Sequence, residues 1–173
     1  MRATKFITVT ALFTALLMGV QFALSGIAGV ELVTVVFLAF CFCAGVKAGV
    51  TVAVAFSLIR CFLFGFYPSV IALYLIYYVS FALFFGFLGN KFGRRVTPKS
   101  FIVVLVLVCV FTACFSLLDD VITPLIYGFG EKATVAYFYA SLPFMLSQTI
   151  CAFISVSLLF FPLVRVFSLG VGI

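Results

Sequence analysis

The sequence predicts an all-α integral membrane protein, a bundle of six transmembrane helices with the N-terminus and the C-terminus in the cytoplasm. Three observations predict it. Of the 173 residues 67% are hydrophobic. Only 10 Lys and Arg and 4 Asp and Glu are present, too few charges to cover a water-facing surface. The apolar residues also fall into long runs punctuated by glycine, proline and clustered charge. A mean hydropathy of +1.47 describes a chain whose outside is as apolar as its inside, as lipid requires. Six crossings at about 20 residues each take about 120 residues. What remains is too short for a soluble domain, so residues 1–173 read as a single transmembrane unit.

The first helix is expected over 5–24. Arg2 and Lys5 ahead of an apolar run are also the pattern of a secretory signal, but the run is long enough to span, and a retained first helix is the expectation. Ser25-Gly26-Ile27-Ala28-Gly29 ends it. The second helix, 31–44, is short for a full crossing and turns at Gly45-Val46-Lys47. The third covers 48–64. Gly65-Phe66-Tyr67-Pro68 leads into the fourth, 69–88, with Pro68 suited to a helix start. The linker from Gly89 to Ser100 is the one clearly polar connection; it carries Lys91, Arg94, Arg95 and Lys99, and its Pro98 resists helix continuation. The fifth helix is expected over 101–118. Asp119, Asp120, Pro124 and the loop Gly128 to Lys132 then separate it from the sixth, 137–167, where Pro143 and Pro162 are candidate kinks. No internal repeat is visible.

Orientation follows from the cations, because positive residues are retained in the cytoplasm. With the N-terminus inside, Arg2, Lys5, Lys47, Lys91, Arg94, Arg95, Lys99 and Arg165 are cytoplasmic, Lys132 is external and Arg60 is embedded. Glu31, Asp119, Asp120 and Glu131 then face outward together.

Composition also bounds the chemistry. The net charge of +6 sits beside apolar segments, so it reads as a topology signal and nucleic acid is not an expected partner. Histidine is absent, which removes the commonest metal ligand and the side chain best placed for proton transfer at neutral pH. The six cysteines lie inside apolar stretches without a C-x-x-C pair and read as small apolar fillers. No catalytic residue, metal ligand or cofactor site is expected. There is no G-x-x-x-x-G-K-[ST] phosphate loop, so the chain is not expected to be an enzyme or to hydrolyse ATP.

Several residues stand out against this background. Ala11, Ala15 and Gly19 recur at i, i+4 and i+8 and give the first helix a smooth face, which admits another helix closely. That helix could belong to this chain or to a partner. Arg60 costs about 2.5–3.5 kcal/mol at the membrane midplane and calls for a partner. Two readings stand: it snorkels to the outer surface about one turn away, or it faces a cavity, pairing with Glu31 or with an anionic group of a ligand. Tyr67, Tyr127, Tyr137 and Tyr139 gather near the expected outer interface, either as an aromatic belt or as walls for a flat ring-containing ligand. Gln148, with Thr34 and Ser147, places hydrogen-bonding groups at depth, as ligand contacts or as interhelical glue. Asp119 and Asp120 are adjacent and on a helix would point about 100° apart, unlike a catalytic dyad.

Taken together, the size, the six-helix N-in pattern, the Ala11-x-x-x-Ala15 seam, Val30-Glu31-Leu32-Val33-Thr34, the basic linker after the fourth helix and Ser141-Leu142-Pro143-Phe144 resemble the S components of energy-coupling factor transporters. The resemblance covers essentially the whole chain. It implies a membrane subunit in a prokaryotic plasma membrane that captures a vitamin or related micronutrient. Its partners would be a transmembrane coupling subunit and two cytoplasmic ATPases, with lipid around it. By that resemblance Ala11, Ala15 and Gly19 would dock the coupling subunit, and Glu31, Thr34, Arg60, Tyr67, Asp119, Tyr127 and Gln148 are the candidates for the substrate pocket. Signatures for thiamine, riboflavin or biotin are absent, so the substrate stays open, with a cobalamin-type or other vitamin precursor among the choices. The alternatives are a stand-alone channel or secondary carrier for a small polar solute, and an intramembrane enzyme built on a Ser–Lys arrangement.

Overall fold

A computed structural model describes residues 3–27, 32–94 and 96–171. Glu31 and Arg95 lie outside the described residues. Six α-helices follow in chain order: α1 (Ala3–Leu24), α2 (Val33–Ala44), α3 (Val46–Phe64), α4 (Pro68–Lys91), α5 (Pro98–Tyr127) and α6 (Glu131–Val171). No strand occurs among the described residues. Five helices, all but α2, are long and apolar enough to cross a membrane. The chain is thus a helical membrane protein.

The exception sits at the centre. α2 has 12 residues, and every residue from Val33 to Cys43 is buried, because it packs against α1, α3, α4 and α6. A helix that is apolar on all sides can be satisfied only by being surrounded. Phe13 of α1 stacks on Phe40 with ring centroids 4.0 Å apart, and Phe42 meets Phe160 of α6 edge-on at 5.6 Å.

Glycine sets how closely α4 approaches. A Cβ at Gly89 would collide with the backbone carbonyl of Phe42, and one at Gly86 would stand 2.8 Å from the backbone nitrogen of Val46. One turn apart on α4, these two residues let it run against the α2–α3 turn. Gly45, at that turn, has φ +82°, a conformation that side-chain-bearing residues rarely adopt. Toward the other end of α4, Tyr74, Tyr77, Tyr78 and Phe81 join Phe37, Phe56 and Phe115 in one continuous aromatic core.

Helix ends differ from the sequence expectation mainly in α5 and α6. Pro98 opens α5 and does not merely end the linker: Thr97 and Ser100 form a reciprocal capping box, with proline at a first-turn position that needs no N–H. At its other end α5 continues past Asp119 and Asp120 to Tyr127, so these acids are helical and not in a loop. Pro124 lies inside that helix, and the left-handed Gly128 (φ 65°) terminates it. α6 starts at Glu131 and continues through Pro143 and Pro162. At about 1.5 Å per residue, α5 and α6 are about 45 and 61 Å long, against a hydrocarbon core of about 30 Å. Together they form a hairpin longer than a membrane is thick.

Candidate binding cavity

Where α1 and α3 end and α2 begins, the helices part and leave a cavity of about 280 Å³. Its wall takes Gln21, Leu24, Ser25 and Ile27 from α1 and the following turn, Leu32 and Val33 from α2, and Arg60 and Phe64 from α3; Tyr74, Phe115 and Gln148 complete it. Polar groups therefore arrive from α1, α3, α4 and α6, although each of those helices is mostly apolar.

Arg60 is the charged member. Its Cζ stands 4.2 Å from the ring centroid of Tyr74 and 5.1 Å from that of Phe64, within cation–π range of both. Its Nε is shut away from solvent and has no hydrogen-bond partner among the described residues. Tyr74 is held in turn by Gln21, whose Nε2 donates to the phenol oxygen at 3.1 Å; the Oε1 of Gln21 is buried with no partner among the described residues. A chain of contacts thus runs from the end of α1 to the guanidinium of α3 through one tyrosine of α4.

A second cavity, also about 280 Å³, lies between α5 and α6 and shares Phe115 and Gln148 with the first. Its polar lining includes Ser116, Asp119, Tyr137 and Ser141. Tyr137 donates to Asp119 Oδ2 at 2.8 Å and Thr123 donates to Oδ1 at 2.7 Å. Ser141 donates to Asp120 Oδ2 at 2.7 Å, while Oδ1 of that buried carboxylate has no partner among the described residues. Ser116 donates to Gln148 Oε1 at 3.3 Å. The two aspartates, pointing apart around α5, meet different turns of α6 and work as two separate ties.

Of the residues singled out from the sequence, Arg60 and Gln148 meet in the first cavity, and Gln148 and Asp119 in the second. Thr34 is buried in the first turn of α2 and lines neither. Tyr67, just before α4, and Tyr127, at the end of α5, are about half exposed and also stand outside both. Tyr127 stacks on Phe129 at 6.4 Å. Glu31 falls outside the described residues. Sequence reasoning passed over Gln21 and Tyr74; a lone amide in the last turn of an apolar helix was the available signal for the first.

Elsewhere on α1, Ala11, Ala15 and Gly19 are exposed. Ala11 and Ala15 line an open apolar groove of about 560 Å³ with Thr51, Ala55, Ile59 and Leu63 of α3. A Cβ at Gly19 would meet nothing within 4 Å. The smooth seam is therefore not consumed by packing within the chain. Among the described residues no group of three or more Cys, Asp or Glu is placed to hold a metal ion, and all six cysteines are free thiols.

Fold and site define a polytopic helical membrane protein with a polar-walled cavity between helix ends. Comparison with family models, curated proteins and solved structures gives no match to any of them.

Proposed function

We propose that this chain captures a small molecule in the Arg60 cavity and is the S component of an energy-coupling factor importer, with its transmembrane coupling subunit and two ATPases supplied by other chains. The observation that carries the binding role is an arginine inside a mostly apolar bundle, stacked on Tyr74 and facing a cavity among described residues that include no carboxylate. Snorkelling would carry the guanidinium out to water; here it is turned onto the rings of α3 and α4 instead. The open Ala11–Ala15 groove supports the docking role, because close helix approach in lipid depends on such small residues.

In this reading all six helices cross the membrane. α2 is only about 18 Å long, but its sides touch protein and not lipid, so hydrophobic thickness does not constrain it. The charge asymmetry puts Lys47, Lys91, Arg94, Lys99 and Arg165 in the cytoplasm and opens the Arg60 cavity to the outside of a prokaryotic plasma membrane. Vitamins and their precursors are the cargo class.

The test is retention without transport. Purified protein in lipid nanodiscs, incubated with a small-molecule extract of bacterial cells, washed and analysed by mass spectrometry, is expected to retain one compound in a stoichiometric amount. The same protein alone in liposomes is expected not to move that compound across the bilayer. Retention of nothing removes the capture role, and transport by the pure chain replaces the S-component reading with a carrier.

A further inference from the structure

We infer that the Arg60 cavity takes an aromatic monocarboxylate, an inference that rests on the capture role proposed above. Charge comes first. Among the described residues lining the cavity, Arg60 alone has a fixed charge, the others being amides, hydroxyls and apolar groups. The described residues supply Arg60 with aromatic faces but with no hydrogen-bond acceptor at Nε. With Nε shut away, a two-oxygen acceptor would take the two terminal nitrogens, whose parallel N–H groups match the two oxygens of a carboxylate. One guanidinium balances one negative charge; a dianion would keep an uncompensated charge in an apolar surround.

Shape comes second. About 280 Å³ lies at the small end of ligand cavities, which suits one or two rings. Phe64, Tyr74 and Phe115 supply aromatic wall to that space. Gln21 and Gln148 add amides to its lining, and Ser116 holds the Oε1 of Gln148, which leaves the amide nitrogen of that residue to donate to a ring substituent.

The probes that test this are benzoate, benzamide and phenyl phosphate, three molecules with one ring and different charge. Binding is read by saturation-transfer NMR titration on the full chain in nanodiscs. Benzoate is expected to bind at least tenfold more tightly than benzamide, a preference that Arg60→Gln abolishes and Arg60→Lys, which keeps the charge but not the fork, only partly retains. This comparison is made first on the unaltered protein, so it does not depend on any variant folding. Equal affinity for benzoate and benzamide, including no binding of either, overturns the monocarboxylate assignment, as does tighter binding of phenyl phosphate. A benzoate preference that arises only in Glu31→Gln gives the pairing to Glu31 and overturns the assignment too. Retention of a neutral or cationic compound from the cell extract would sink the carboxylate class while leaving the capture role standing, whereas retention of nothing sinks the capture role itself.

Discussion

The guanidinium of Arg60 and the ring of Tyr74, on neighbouring helices α3 and α4, lie 4.2 Å apart from Cζ to centroid. Tyr74 also accepts a hydrogen bond from Gln21, so its ring and its hydroxyl serve two different helices. The two roles separate by substitution. Tyr74→Phe keeps the ring and loses the link to Gln21, and is expected to cost about 0.5–1 kcal/mol in an SDS-unfolding titration. Tyr74→Leu loses the aromatic face as well, and a further loss of about 1–2 kcal/mol is expected where the cation is desolvated. Equal stability of the two variants would show that the ring does not hold the guanidinium.

Between α5 and α6 the ties are acid to hydroxyl. The Asp119–Tyr137 bond is 2.8 Å long, and its worth is read from a double-mutant cycle with Asp119→Asn and Tyr137→Phe. A coupling energy of about 0.6 kcal/mol, and no more than about 1.7, is expected, the average and the maximum for interhelical hydrogen bonds in membranes. Zero coupling would mean that the hairpin is held by its apolar contacts alone.

Much of this arrangement was legible in the sequence, and the part that was not has a common physical origin. Hydropathy finds helices by what lipid tolerates, so the five long ones and the short second one were visible. It stops at polar residues, and therefore the fifth helix was ended at Leu118, one residue before two acids. Within the helix those acids accept from Tyr137, Thr123 and Ser141, and two of these three donors come from α6. A partner 18 to 21 residues away along the chain is invisible to a local window. Arg60 and Gln148 were found because each is an anomaly in its own helix. Tyr74 was not, since a tyrosine among Phe and Leu is ordinary until its contacts are known. Tyr67 and Tyr127 drew notice for the same interfacial character that leaves them exposed and away from both cavities.

Gly89 gives a packing test. Its missing side chain is what lets α4 reach the backbone of α2 at Phe42, so Gly89→Ala forces a backbone shift and is expected to destabilise the bundle by about 1–3 kcal/mol. Gly19→Ala is the matched control, because a Cβ there meets open space and alanine favours the helix by about 0.5–1 kcal/mol. SDS unfolding should therefore move in opposite directions for the two variants. A shift of the same sign and size in both would trace the effect to helix propensity and not to the close approach.

Sidedness is tested by labelling. In a background with the six native cysteines replaced by alanine or serine, Lys132→Cys in the first turn of α6 and Lys91→Cys in the last turn of α4 are both exposed positions. The proposed orientation has a membrane-impermeant maleimide added to intact cells modify the first and spare the second until the cells are opened. The reverse pattern would invert the chain and turn the Arg60 cavity toward the cytoplasm.

The groove on α1 and α3 separates binding from delivery. Ala11 and Ala15 are exposed and line that open groove, so Ala11→Leu with Ala15→Leu is expected to fill open space and not the core. Unfolding should stay within about 0.5 kcal/mol of the original chain, as for other substitutions away from packed sites. Retention of the small molecule should also be unaffected, since the Arg60 cavity shares no residue with the groove. Uptake into cells and co-purification with a coupling subunit are the quantities expected to collapse, because two leucines hold a second helix too far away for small-residue contact. Uptake that persists at its original rate would mean that the seam faces lipid, and would leave this chain to deliver its cargo by a surface other than α1.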